Sequence, residues 1–249
     1  MITIEELNDV KEKRKTSLYY EEKEYFQYIF LNAISKYHEY LTFKGGTCLR
    51  ICYGLERASE DLDFSTTLSI KKIKEIFYKC MKEFDYLNIK YNIYSEKEFK
   101  GNIRFEVRFE GPLFMGKQQS TNTLKIDFNH GKTKNKLAKV INKSFSDIPI
   151  FIILAMDEKE ILAEKIRTLI NRKEPRDLYD IWMLLSKGTK IDKKLIYEKL
   201  KEEKSDLSKL DIPSEKEYKT SLKNLVYFLP DYYQVKKEVL EKLKKLQDK

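Results

Sequence analysis

The sequence predicts an α+β protein: a mixed α/β half carrying a mixed sheet, followed by a C-terminal helical bundle, with the division near residue 155. Two observations carry that expectation. Up to about residue 155 the apolar residues switch between helical stripes and period-two alternation, whereas from Asp157 onward almost every segment has helical spacing. We therefore expect residues 1–155 to form an α/β domain with an N-terminal helix and residues 156–249 to form a helical domain. No internal repeat is evident.

Taken in order, "YYEEKEYFQYIFLNAISKYHEYL" sets Tyr25, Phe26, Ile29, Phe30, Ala33 and Ile34 at the spacing of a buried helical stripe. "YLTF" reads as a short strand ending at Lys44. Gly45-Gly46-Thr47 is then a turn into the helix "TCLRICYGL", with Thr47 placed as its N-cap. From Glu60 the period becomes two, with Asp61, Asp63 and Ser65 on one face and Leu62 and Phe64 on the other. "SIKKIKEIFYKCMKEF" is helical again. Three alternating segments follow: "LNIKYNIY", "NIRFEVRFE" and "NTLKIDFN". The second puts Arg104, Glu106, Arg108 and Glu110 on one face, as cross-strand charge pairs would. "IPIFIILAM" has the length of a buried strand or of an apolar connector. Beyond it come "DEKEILAEKIRTLINRK", "PRDLYDIWMLLSKG" and "DKKLIYEKLKEEK", with Pro175 suited to a first helical turn and Gly188 to a C-terminal cap. Residues 205 to 215 read as a loop, and two more helices close the chain.

Hydrophobic residues at 41% and charged residues at 36% describe a chain that folds behind a heavily charged surface. No apolar run approaches the ~20 residues that span a bilayer. The opening "MITIEELNDVKEKRK" lacks an apolar signal core. The expectation is a cytoplasmic protein beginning near Met1, with no membrane partner. Cys48, Cys52 and Cys80 read as small buried hydrophobes, since a zinc site would have only His38 and His130 to complete it. The formal net charge of +9 suits a polyanionic partner. "HGKTKNKLAKVINK", residues 130 to 143, concentrates five lysines with no acid; it reads equally as a solvated loop or as an arm contacting phosphates.

Asp61 and Asp63 lie two apart on a strand, so both carboxylates point the same way. Like charges so placed are costly unless a cation joins them, and Mg²⁺ takes such hard oxygen ligands. Asp127 lies on another strand. If the two strands pair, three carboxylates converge, enough for a two-metal site that clamps an in-line phosphoryl displacement. The Gly-Gly turn meets the complementary need: its backbone can approach phosphate oxygens, and the following helix offers free N–H groups to the anion. The Walker sequence, another way to do this, does not occur.

Read together, "KGGTCLRICYGLERASEDLDF" resembles the Gly-Gly-Thr … Arg-x-Ser-x-Asp-x-Asp-Phe signature of the AbiEii/AbiGii and MenT-type nucleotidyltransferase toxins, which have the DNA polymerase β-type nucleotidyltransferase fold. "EILAEKIRTLINRKEPRDLYDIWMLL" resembles the same family's Lys … Arg-x-x-x-Arg-Asp-x-x-Asp helix pair. The resemblance runs from about residue 40 to residue 187. It implies that Gly45, Gly46 and Thr47 hold a triphosphate, with Lys44, Arg57 and Ser59 beside the nucleotide. Asp61 and Asp63 would hold the metals together with Asp127, which matches the carboxylate that other polymerase β-type enzymes use to activate the acceptor hydroxyl. Lys165 and Asp180 would be the essential pair of the helical half, supported by Arg172, Arg176 and Asp177. The spacing allows this, with Lys165 and Arg172 on one helix face and Arg176 and Asp180 at i, i+4. Without the upstream motif the same residues would read as an interhelical salt-bridge cluster.

The implied activity is Mg²⁺-dependent transfer of NMP from an NTP to RNA, foremost the tRNA 3′ end, which would halt translation within a toxin–antitoxin or abortive-infection system of phage defence. Ser59 either hydrogen-bonds the turn or, as in MenT-like relatives, takes a phosphate from a kinase-type antitoxin. Other relatives pair with a transcription-regulating antitoxin. Two other readings stay open: the same chemistry on a small molecule or a protein hydroxyl, and a non-catalytic RNA-binding module of the same fold. The presence of Asp61, Asp63 and Lys165 argues against the last.

Overall fold

The computed structural model describes residues 1–247, and the chain divides into two compact units. The first comprises Met1–Gly54 and Ala58–Met156; the second comprises Leu55–Arg57 and the residues from Asp157 onward.

The first unit runs α1 (Ile4–Arg14), α2 (Leu18–Ser35), β1 (Leu41–Lys44), α3 (Gly45–Tyr53), β2 (Asp61–Thr66), α4 (Ile70–Tyr86), β3 (Lys90–Phe99), β4 (Asn102–Glu110), β5 (Asn122–His130), β6 (Lys136–Ile141) and β7 (Phe151–Met156). The strands make one seven-stranded sheet in the order β3-β4-β5-β2-β1-β7-β6. It is mixed, because β2 with β5 and β1 with β7 are parallel and the other neighbours antiparallel.

Aromatic burial fixes which way this sheet faces. Phe30 of α2 meets Phe64 of β2, Phe77 of α4 stacks on Phe105 of β4, and Phe64 stacks on Phe128 of β5. All are almost fully buried, and each such ring contributes about 1.5–3 kcal/mol of apolar burial. With α2 and α4 holding that face, strand alternation sends Arg104, Asp127, Asp63 and Lys44 to the opposite one.

Two segments differ from the sequence expectation. The N-cap of α3 is Lys44, in extended conformation with no side-chain cap bond, so Thr47 is the third helical residue and not the cap. The lysine-rich stretch is neither loop nor arm throughout, because residues 136 to 141 form the edge strand β6. The run "FIILAM" is a strand, although Ile152 within it is exposed.

The second unit is helical: α5 (Glu158–Arg172), α6 (Pro175–Ser186), α7 (Lys193–Glu202), α8 (Glu215–Leu222) and α9 (Tyr232–Gln247). α6 packs against α5, α8 and α9, and α5 also against α7. Pro175 opens α6 where its missing N–H costs nothing, and Gly188 follows its end at φ +86°. Among the described residues no helix is long and apolar enough to cross a membrane.

Candidate active site

The strand register lines up charges on the face of the first unit's sheet opposite α2 and α4. Across β4, β5, β2 and β1 one row reads Arg104, Asp127, Asp63, Lys44, each in register with the next. The neighbouring row reads Glu106, Lys125, Asp61. Asp61 and Asp63 are therefore about 7 Å apart along β2, each with a carboxylate or cation from the adjoining strand beside it. The two expected strands do pair, and Asp127 does stand next to Asp63.

Asp127 is nevertheless engaged. Arg104 Nε donates to its Oδ1 at 2.7 Å and Nη2 to its Oδ2 at 2.9 Å. Three carboxylates thus share the face, the third of them clasped by a guanidinium. Among the described residues no group of three or more His, Cys, Asp and Glu side chains is gathered to hold a metal ion. The donor set of Asp61 and Asp63 still fits a divalent cation, being two half-buried hard carboxylates on one strand face. Burial raises the Asp61 carboxyl; the Lys125 cation opposes this, and Glu60 and Asp127 add to it. That surplus of negative charge is what a cation would relieve.

The Gly-Gly turn lies against this pair. Gly45 has φ +78°, and a Cβ built on it would fall 2.5 Å from Asp63 Oδ2, so only glycine lets the start of α3 sit so close to that carboxylate. The Thr47 hydroxyl is fully buried, donates to the Asp61 carbonyl and lies 2.9 Å from Ser59 Oγ. Gln27 of α2 donates to the Ser59 carbonyl at 2.9 Å. Thr47 thus ties α3 to the start of β2 with its side chain and has only its backbone N–H to offer an anion.

The second unit holds its own buried cluster. Arg57 donates to both Asp180 oxygens at 2.6 and 2.8 Å, while Lys165 Nζ lies 2.8 Å from Asp180 and 2.7 Å from Asp177. Arg57 is 3% exposed and Asp180 fully buried. Burial alone would raise the Asp180 carboxyl, but Arg57 and Lys165 outweigh it and bring it down to about 2. Burial would likewise lower Lys165, and Asp180 and Asp177 hold it above the usual lysine range instead. Arg57, expected beside the nucleotide, is here the partner of Asp180. Arg172 ends α5 in an exposed position outside the cluster, and Arg176 is half-buried in the first turn of α6.

Three residues of this chemistry were not singled out in the sequence. Arg104 was noted only as a charge on an alternating face, and its partner could not be named without the register. Lys125 on β5 stands in register with Asp61 on β2, a position open to sequence reading only once the two strands are known to pair. Lys23 of α2 is buried, its ammonium held by the Thr123 carbonyl; burial lowers it and Glu60 and Asp61 raise it.

Solved structures share this fold. The chain superposes on MenT4, a nucleotidyltransferase toxin from Mycobacterium tuberculosis H37Rv, with a TM-score of 0.73 at 17% identity, covering 98% of this chain and 90% of that one. It also superposes on JHP933 from Helicobacter pylori, with a TM-score of 0.62 at 19% identity and 93% of each chain covered. These likenesses establish a shared fold. None of the curated proteins matches in sequence. The family model described as "Nucleotidyl transferase AbiEii toxin, Type IV TA system" matches residues 29–245. With most of its length matched, the chain belongs to the AbiEii nucleotidyl transferase toxin family, enzymes of type IV toxin–antitoxin systems.

Proposed function

We propose that the protein transfers a nucleoside monophosphate from an NTP to the 3′ end of an RNA, with tRNA as the acceptor, and so blocks translation. The observation that best supports this reading is the seating of Gly45 on the Asp63 carboxylate, with Asp61 beside it. A helix N-terminus and a carboxylate pair, brought this close, serve the two halves of one ligand: an anion and the cation that accompanies it.

In this reading the N–H groups of Gly45, Gly46 and Thr47 receive the triphosphate, and Lys44 adds a positive charge at the end of β1. Asp61 and Asp63 hold Mg²⁺, which when bound neutralises phosphate charge and polarises the α-phosphate. The acceptor hydroxyl oxygen forms a bond to the α-phosphorus, the bond from that phosphorus to the bridging oxygen breaks, and pyrophosphate leaves. Asp127 takes the hydroxyl proton, and Arg104 sets the direction in which its carboxylate points. Lys165 and Asp180, with Asp177 and Arg57, form the essential group of the helical unit, which Arg172 and Arg176 support. The net charge of +9 suits an RNA acceptor.

Family membership implies an antitoxin. If it is of the kinase type, Ser59 is its target: a phosphate there would part Ser59 from Thr47 and add charge of about −2 close to Asp61.

The test is transfer of each of the four α-³²P-labelled NTPs to total tRNA with Mg²⁺, beside Asp61→Ala. Label in tRNA only with the intact aspartate is the expected result. Labelling of a protein or a small molecule in its place would overturn the acceptor while leaving the chemistry standing.

A further inference from the structure

Two residues along from the charged row, the same face of the first unit turns neutral and polar: Asn129, Ser65 and Thr42 stand in register across β5, β2 and β1. The chain leaving β5 must pass β2, β1 and β7 to enter β6. Four strand spacings need about 19 Å, and the six peptide steps from His130 to Lys136 reach about 20 Å. The crossover is therefore nearly extended, and it begins by continuing the ladder, Gly131 N–H donating to the Thr66 carbonyl at 2.9 Å. A cavity of about 260 Å³ lies between it and the face of β1 and β2, lined among others by Tyr40, Thr42, Ser65, Lys132, Thr133 and Lys136, with Glu39 also present.

Part of the hydrogen-bonding capacity of this cavity is unspent. Thr133 Oγ1 is buried and without a partner, whereas the Thr66 hydroxyl is used, donating to the Tyr40 carbonyl and accepting from the Leu68 N–H. Thr42 and Ser65, 6% and 8% exposed, line the same cavity. A buried hydroxyl is rarely left unpaired, and one beside this polar lining points to a polar occupant. Lys132 and Lys136 are exposed and, among the described residues, form no ion pair with a carboxylate, so their charge is available to an anion. Tyr40, 52% exposed, offers a ring on which a base can stack.

We propose that this cleft is the track of the acceptor strand, holding the nucleotide next to the one whose hydroxyl reacts. Lys132 and Lys136 meet its phosphates, the hydroxyls of Thr42, Ser65 and Thr133 its sugar and base edges, and Tyr40 its base. The position argues for the acceptor over the NTP. Gly45 and the start of α3 lie at the Asp63 row, whereas the cleft opens one row further along β2, about 7 Å away, so a triphosphate held at α3 leaves the cleft to a second ligand. This rests on the proposed transfer to RNA.

The test measures binding of a fluorescent single-stranded RNA by anisotropy over a range of salt, with MgNTP binding followed separately by calorimetry. For K132A/K136A the slope of log affinity against log salt should shrink by roughly 1.4, about 0.7 for each lost phosphate contact on a single strand. Thr42→Val, which keeps the shape and removes the hydroxyl, should weaken RNA binding several-fold with an unchanged melting temperature. MgNTP affinity should stay at the wild-type value in all of them. An unchanged slope and affinity, with RNA still bound, overturns the track and leaves the acceptor reading intact. Weakened MgNTP binding with RNA binding unmoved reassigns the cleft to the NTP. A wild-type protein that binds MgNTP but no RNA overturns both readings.

Discussion

Arg104 and Asp127 face each other in register on β4 and β5, and the guanidinium grips the carboxylate through both oxygens at 2.7 and 2.9 Å. A bidentate pair fixes the plane of the carboxylate as well as its position. Because the arginine side chain is 39% exposed, solvent screens the pair and its share of stability is small. Its consequence is orientation. Asp127→Asn should lower kcat by about 10²–10⁴, the usual worth of a proton acceptor. Arg104→Ala should lower kcat about tenfold or more, with KM for the NTP and Tm close to wild type, and Arg104→Lys should not restore it, since an ammonium cannot form the fork. Steady-state kinetics on the three variants check this; a wild-type kcat in Arg104→Ala would remove the positioning role.

Gly45 and Gly116 separate clash from strain. Both have positive φ, +78° and +74°, but a Cβ on Gly45 strikes Asp63, whereas one on Gly116 meets nothing within 4 Å. Alanine at either should cost about 1–2 kcal/mol of backbone strain. Only Gly45→Ala should also displace the Asp63 carboxylate, and its transfer rate should fall more than a hundredfold while Gly116→Ala keeps its rate. Paired melting curves and transfer assays decide it. Equal activity in the two would mean that Asp63 can move aside.

How much of this was legible beforehand depended on burial. β2 and β5 announced themselves because Leu62, Phe64, Ile126 and Phe128 alternate with polar residues against a covered face. β6 did not, because Lys136, Leu137, Ala138 and Val140 are all exposed on an edge strand and no period-two burial marks it. The carboxylates were readable as candidates, and their company was not. Which strands pair is a long-range matter, so neither Arg104 beside Asp127 nor Lys125 beside Asp61 could be named. Arg57 shows the same limit, since its partner Asp180 is 123 residues away. Thr47 misled for a local reason: a threonine after two glycines has the chemistry of a cap, but the helix had already begun at Gly45.

Asp61 should be a residue that function keeps and folding resists. Burial, with Glu60 and Asp127, raises its carboxyl against the pull of Lys125 and Lys23. Between the ordinary value of 3.8 and the raised one, the folded chain keeps a proton that the unfolded chain has released. The stability from this group is thus present at low pH and lost as the pH rises through that window. At neutral pH the ionised carboxylate is a cost. Asp61→Asn should therefore melt at a higher temperature than wild type at pH 7 in EDTA, while its transfer activity falls below detection. A lower Tm would show that the neighbouring cations stabilise the carboxylate more than burial penalises it.

Asp180 should behave in the opposite sense. Its carboxyl is brought from 3.8 to about 2 by Arg57 and Lys165, so its stabilisation is complete above pH 4 and drains away as the pH falls towards 2. The shift corresponds to about 2 kcal/mol. Urea unfolding at a series of pH values should show this acid limb in wild type and its absence in Asp180→Asn. Lys165→Met is the sharper variant. It leaves Asp180 with Arg57 alone and takes from Asp177 its 2.7 Å ion-pair partner. Breaking one side of a buried pair typically costs about 3–5 kcal/mol. With one cation gone the Asp180 carboxyl must titrate at a higher pH, so the acid limb should move upward as well as the whole curve downward. A Lys165→Met protein that loses transfer but keeps both the height and the position of that limb would mean that the lysine does not hold Asp180 in the folded chain, and that its part lies with the substrate alone.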